Sequence, residues 1–108
     1  MKTIEGYKYF GYFTGMPYGK YLCDETFKDY PVTETAEERR KILQYLDTLD
    51  PALTSEPTYD LVTGELLQGG MYEDMEYGYP TDFVEYYRRG LVGFPREYLE
   101  SLRARNII

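Results

Sequence analysis

The side chains of this chain best equipped for chemistry are its carboxylates and phenols. Histidine does not occur, and cysteine occurs once, at Cys23. Without histidine there is no Ser-His-Asp or Cys-His device and no general base of the usual kind near neutral pH. The charges of Asp24 and Glu25 oppose thiolate formation at Cys23, so an inert thiol is expected there. A pair of carboxylates can hydrolyse glycosides, but that chemistry needs a deep cleft, which a chain of 108 residues rarely builds. The expectation is a protein that is not an enzyme. Metal-ligating patterns are missing too: there is no Cys/His cluster for zinc and no calcium loop of alternating acids. Glu73, Asp74, Glu76 and Asp82 could gather a hard cation only if a loop folded them together, and a solvated acidic turn is the simpler reading. No metal and no cofactor are expected. Gly15-x-x-x-Gly19-Lys20 is one residue short of a phosphate-binding loop and lacks its Ser/Thr, so it reads as turn chemistry.

Charge placement carries the strongest functional signal. The net charge is −7, and from Ile42 to Tyr87 there is no Lys or Arg, while ten acids accumulate between Asp47 and Glu85. Such a stretch repels nucleic acid and anionic membranes and attracts a basic partner. Five arginines then appear between Arg88 and Arg105. Aromatics reach 18%, with 14 Tyr, 5 Phe and no Trp. Several of these tyrosines lie among the acids, and tyrosine is enriched at the energetic centres of interfaces.

Positioning these groups falls to a small α+β fold: antiparallel β-hairpins forming a small sheet, packed with about three α-helices in a single domain over residues 1–108. Tyr7 to Phe13 alternates as a strand, Thr14 to Gly19 is a turn, and Lys20 to Asp24 returns as its partner. Thr35-x-x-Glu38 has capping-box spacing before a helix over 36–49, whose apolar stripe is Ile42, Tyr45, Leu46 and Leu49. Thr58 to Val62 and Leu66-Leu67 flank a turn at Thr63-Gly64-Glu65. Met71-Tyr72 and Tyr77 to Tyr79 form another pair. Asp82-x-x-Glu85 suggests a second capping box, Gly90 a left-handed helix stop, and Pro95 the first residue of a third helix burying Tyr98, Leu99 and Leu102. No run approaches the roughly 18 apolar residues of a membrane-spanning helix, and no signal-peptide core precedes Glu5 and Lys8. The single cysteine points to a reducing compartment, the cytoplasm.

Within residues 60–99 the motifs Asp60-Leu61-Val62-Thr63-Gly64-Glu65, Tyr77-Gly78-Tyr79-Pro80, Asp82-Phe83-Val84-Glu85-Tyr86-Tyr87 and Pro95-Arg96-Glu97-Tyr98 stand in order. In this the chain resembles a group of small bacterial immunity-like proteins, with Tyr79 near the place of their usual tryptophan. The resemblance implies a binding role and no catalytic residues.

The expectation is therefore an acidic intracellular inhibitor. It would occupy the basic surface of a nucleic-acid-handling protein, such as a nuclease toxin or a host-defence nuclease, by imitating phosphates, without binding nucleic acid itself. Glu73, Asp74, Glu76, Asp82 and Glu85 would make the electrostatic contacts, with Tyr72, Tyr77 and Tyr79 as anchors. The alternatives are a structural subunit or adaptor that uses the Tyr7, Tyr9 and Tyr12 surface, and a small-molecule binding module with an aromatic pocket.

Overall fold

Left-handed backbone at Glu5 and Gly6, with φ of 51° and 87°, starts the architecture. A two-residue hairpin loop of the type that matches strand twist needs positive φ at both positions. This turn joins β1 (Lys2–Ile4) to β2 (Tyr7–Tyr9), with Ile4 opposite Tyr7. A computed structural model describes residues 1–108. Its further strands are β3 (Leu53–Thr54), β4 (Thr58–Tyr59), β5 (Leu66–Leu67), β6 (Gly70–Asp74) and β7 (Tyr77–Pro80). Its helices are α1 (Ala36–Leu46), α2 (Thr81–Arg88) and α3 (Arg96–Ala104).

The five-stranded sheet has the order β1-β2-β7-β6-β3, and β4 and β5 pair as a separate hairpin. All neighbours are antiparallel except β2 and β7, which run parallel, with Tyr9 beside Gly78. Gly78 permits that approach, because a Cβ there would lie 2.6 Å from the Tyr9 ring. The α+β class holds, as a mixed sheet with three helices rather than a purely antiparallel one.

The Tyr7–Phe13 strand stops at Tyr9 because Gly11 is left-handed, with φ of 78°. Its bend sends Phe10, Tyr12 and Phe13 all inward, so alternation fails. The expected partner strand at Lys20–Asp24 is a tight helical turn (Gly19–Tyr21), with only a Phe13–Glu25 bridge beyond it. α1 has its capping box as expected, with Thr35 Oγ1 accepting from the Glu38 N–H at 3.1 Å and Glu38 Oε1 accepting from the Thr35 N–H at 3.0 Å. α2 does not: Pro80 occupies the cap position, and Asp82 turns inward. Gly90 makes the left-handed stop with φ of 76°. Pro95 precedes α3 by one residue instead of beginning it, and Tyr98, Leu99 and Leu102 are buried as the periodicity requires.

The core is a continuous aromatic cluster. Phe10 sits at its centre, with the rings of Tyr79, Phe83, Tyr98, Phe94, Tyr30 and Tyr77 at centroid distances of 5.0 to 6.3 Å. Seven of the 14 tyrosines are buried and only Tyr7 and Tyr59 are exposed, so the tyrosine-rich composition is mainly a property of the interior. Burial raises the pKa values of Tyr12, Tyr79, Tyr87 and Tyr98 far above the ordinary 10.0. A raised folded-state pKa gives stability that is full below the unfolded value and is lost as pH rises towards the folded one. Tyrosinate absorbance at 295 nm from the buried rings should therefore rise only well above pH 10, in a cooperative step that coincides with loss of the circular dichroism signal. A single smooth titration of all rings would contradict this packing.

Candidate functional site

Buried phenols need acceptors, because a hydroxyl taken out of water without a partner costs about 1–3 kcal/mol. For Tyr98 and the half-buried Tyr18 and Tyr30 the acceptors are acids, whereas the buried hydroxyls of Tyr12 and Tyr87 have no partner. Tyr98 donates to Asp74 at 2.6 Å, and its hydroxyl also contacts that of Tyr79 at 2.9 Å. Tyr18 donates to Asp82, which also takes the Thr58 hydroxyl at 2.5 Å. Tyr30 donates to Glu25, which further accepts from the Gly11 N–H at 3.0 Å and from the Met1 amino group at 2.5 Å. Asp60 accepts from the N–H groups of Val62 and Thr63 at 2.7 and 3.0 Å and from Arg89.

Burial removes four of the eight expected contact residues from the surface. Asp74 is buried and chelated by Arg105, whose Nη1 and Nη2 donate at 2.9 and 3.1 Å. Burial works to raise the Asp74 carboxyl, but hydrogen bonds from Arg105, Tyr98 and Tyr45 and the Arg105 charge outweigh it and hold the pKa below 3.8. Asp82 is 1% exposed and serves as an acceptor in the interior. Tyr77 and Tyr79 are core residues and cannot anchor a partner. Tyr72 is half-buried, its ring 5.9 Å from that of Tyr79 across the strand pair. Glu85 is half-buried on α2, 3.7 Å from Arg89. Glu73 and Glu76 remain exposed and make no ion pair. The arginines near the C-terminus thus neutralise several acids of the base-free stretch: Arg88 pairs with Asp47, Arg89 with Asp60 and Arg105 with Asp74. The four acids considered for a cation do not form one ligand set, since Asp74 and Asp82 are engaged in the interior, and no three His, Cys, Asp or Glu side chains are placed to hold a metal ion.

What remains is smaller and sharper. Because β2 and β7 are parallel, the turns that precede them lie at the same end of the sheet. One is Glu5-Gly6 and the other is Met75-Glu76. That end therefore collects Glu5, Glu73 and Glu76, exposed and without ion pairs, around Tyr7 and the protruding Met75. Proximity shows in the Tyr9 hydroxyl, whose pKa is raised by burial first, then by Tyr21, Glu73, Tyr7 and Glu5. The neighbouring cation, Lys8, is already held by Glu97 at 2.6 Å. Glu5 and Met75 both occupy left-handed backbone, with φ of 51° and 56°, where a non-glycine residue costs about 1 kcal/mol. Both turns thus present a large side chain where glycine or asparagine would be easier.

Glu5 and Met75 are not among the contacts expected from the sequence, and Tyr7 is expected only for the alternative adaptor surface. The signal was present: Lys2–Ile4 and Tyr7–Tyr9 are β-prone runs separated by two residues ending in glycine. Cys23 sits away from this end, half-buried, with its thiol donating to the carbonyls of Tyr21 and Tyr9 at 3.2 and 3.4 Å. Burial first and the Glu25 charge next push it up to about 11, in keeping with an inert thiol. A shallow groove of about 370 Å³ lies elsewhere, between Phe13, Phe27, Lys28, Leu61 and Val62. No helix is long and apolar enough to cross a membrane.

Comparison with protein-family models, with curated proteins and with solved structures finds no match, so a functional reading rests on the chain's own residues.

Proposed function

We propose that this protein is a non-catalytic, cytoplasmic inhibitor that docks the turn end of its sheet on a cationic, nucleic-acid-handling protein, in the manner of an immunity protein or an anti-defence factor. The observation that carries the reading is the gathering of Glu5, Glu73 and Glu76 at one end of the sheet beside Tyr7 and Met75, none of the three in an ion pair. Proteins that grip phosphates do so with Lys and Arg clusters, and carboxylates in a fixed array compete for the same clusters. The carboxylates would speed encounter, while Tyr7 and Met75 would supply the apolar contact that slows release. A net charge of −7 adds long-range attraction to such a partner.

The test is Glu73→Lys combined with Glu76→Lys, leaving Asp74 untouched because it belongs to the interior. Partner affinity should fall tenfold or more and its salt dependence should flatten. The thermal midpoint should stay near that of the parent, since substitutions at exposed sites usually change stability by less than about 0.5 kcal/mol. Unchanged affinity together with an unchanged salt slope would count against the reading.

A further inference from the structure

The β4–β5 hairpin lies at the opposite end of the sheet from the acidic turns, because β6 leads away from it towards Met75. Four of the ten large hydrophobic residues exposed on the molecule, Tyr59, Leu61, Val62 and Leu66, belong to it. Tyr59 and Leu66 face each other across the two strands and are 66% and 64% exposed. Leu61 and Val62, at its turn, are also exposed and form one wall of the groove whose other wall is Phe13 and Phe27. Contiguous apolar surface of this kind on a small protein marks an interaction site.

The hairpin is also held rigidly. Three buried or part-buried links tie it to α2: the Thr58 hydroxyl to Asp82 at 2.5 Å, Arg89 to Asp60, and the Leu61 N–H to the Tyr86 hydroxyl at 2.8 Å. The carboxyl of Asp60 is held below its ordinary 3.8 although burial opposes this, by the N–H groups of Thr63 and Val62 and by Arg89. An apolar surface fixed in this way loses little conformational freedom on association.

We propose that this hairpin is a self-association surface, on which a second copy of the chain docks across a two-fold axis with Tyr59 and Leu66 at the centre. Charge favours a copy over an unlike partner. The unpaired charges of the acidic end are all anions and repel their own kind, whereas the hairpin face has unpaired charges of both signs, Lys28 on the groove and Glu65 beside Leu66. A two-fold axis can set each against its opposite. Strand geometry agrees: β4 and β5 are antiparallel and belong to no larger sheet, so no third strand covers their outer edges. The resulting dimer would leave both acidic ends free.

Sedimentation and light scattering of the full chain at about 0.1 mM, where an interface of even ~10 μM Kd is filled, test this directly. The expected mass is that of two chains and is kept at higher salt, because Tyr59 and Leu66 supply most of the contact and salt screens the net repulsion between two anionic copies along with the rim pairs of Lys28 and Glu65. Leu66→Glu should weaken the dimer tenfold or more, and so should Tyr59→Ser, which spares the strand backbone. Both should keep the parent's circular dichroism. Glu73→Lys with Glu76→Lys should leave the dimer intact, which separates this surface from the acidic end. A single-chain mass, a dimer dissolved by salt, or a dimer that survives both hairpin substitutions would overturn the proposal.

Discussion

Phe10→Ala lowers the free energy of unfolding by about 3–5 kcal/mol, the range for emptying a fully buried aromatic site. The size follows from where the ring sits. Six other aromatic rings lie within 6.3 Å of its centroid, from the sheet, from α2 and α3, and from the segments between them. The site cannot collapse easily, because several of those rings are pinned by their own hydroxyls: Tyr98 by Asp74 and Tyr30 by Glu25. A domain of this size has about 5–15 kcal/mol in total, so the variant should be largely unfolded at moderate urea. Its thermal midpoint should drop by roughly 12–40 °C, at about 4–8 °C for each kcal/mol. Urea denaturation followed by circular dichroism measures it, and a loss below about 1 kcal/mol would contradict the packing.

The second large effect separates two neighbours of the same charge. Asp74→Ala should cost about 3 kcal/mol, towards the low end for breaking a buried ion pair, because Arg105 keeps 24% of its side chain exposed. It would leave the Tyr98 hydroxyl without its acceptor and the guanidinium without its anion. Glu73→Ala, one residue earlier on the same strand but facing solvent, should change stability by less than about 0.5 kcal/mol. The pH dependence has a definite sign. Asp74 and Asp60 have folded-state pKa values below the ordinary 3.8. Their contribution is full above that value and is lost as pH falls through the lower folded one. The parent should therefore lose stability below about pH 4, and Asp74→Ala should show a shallower loss. Equal sensitivity of the two sites, or an acid slope identical in parent and variant, would show that the Asp74–Arg105 pair does not form in solution.

Most helices and two of the hairpins were legible in the residues, because each carries a local signature. Thr35 and Glu38 cap α1, Gly90 ends α2, and Tyr98, Leu99 and Leu102 keep helical spacing. The first strand was misjudged for a physical reason: Gly11 bends the chain, and everything from Tyr9 to Phe13 is buried, so no alternation marks a face. Parallel pairing of β2 with β7 joins segments almost 70 residues apart, and no local pattern reports it. The acidic site was half legible. Glu73 and Glu76 could be named from charge, but Asp74 and Asp82 look the same in the sequence and differ only in having an arginine or phenols folded against them. The interleaving of acids and tyrosines has two causes that composition cannot separate. A contact surface produces it, and so does a phenol-rich core that needs anionic acceptors. In this fold Asp74, Asp82 and Glu25 belong to the second, and Glu5, Glu73 and Glu76 to the candidate surface.

The most direct measurement of that surface is affinity capture with the folded protein, parent beside Glu73→Lys/Glu76→Lys, from the cell that makes it or from its phage-infected host, washed first at low and then at high salt. The account predicts a basic nucleic-acid enzyme that the parent retains, that salt releases, and that the doubly reversed protein fails to hold. A partner that is acidic, or that stays bound to both proteins at high salt, would contradict it.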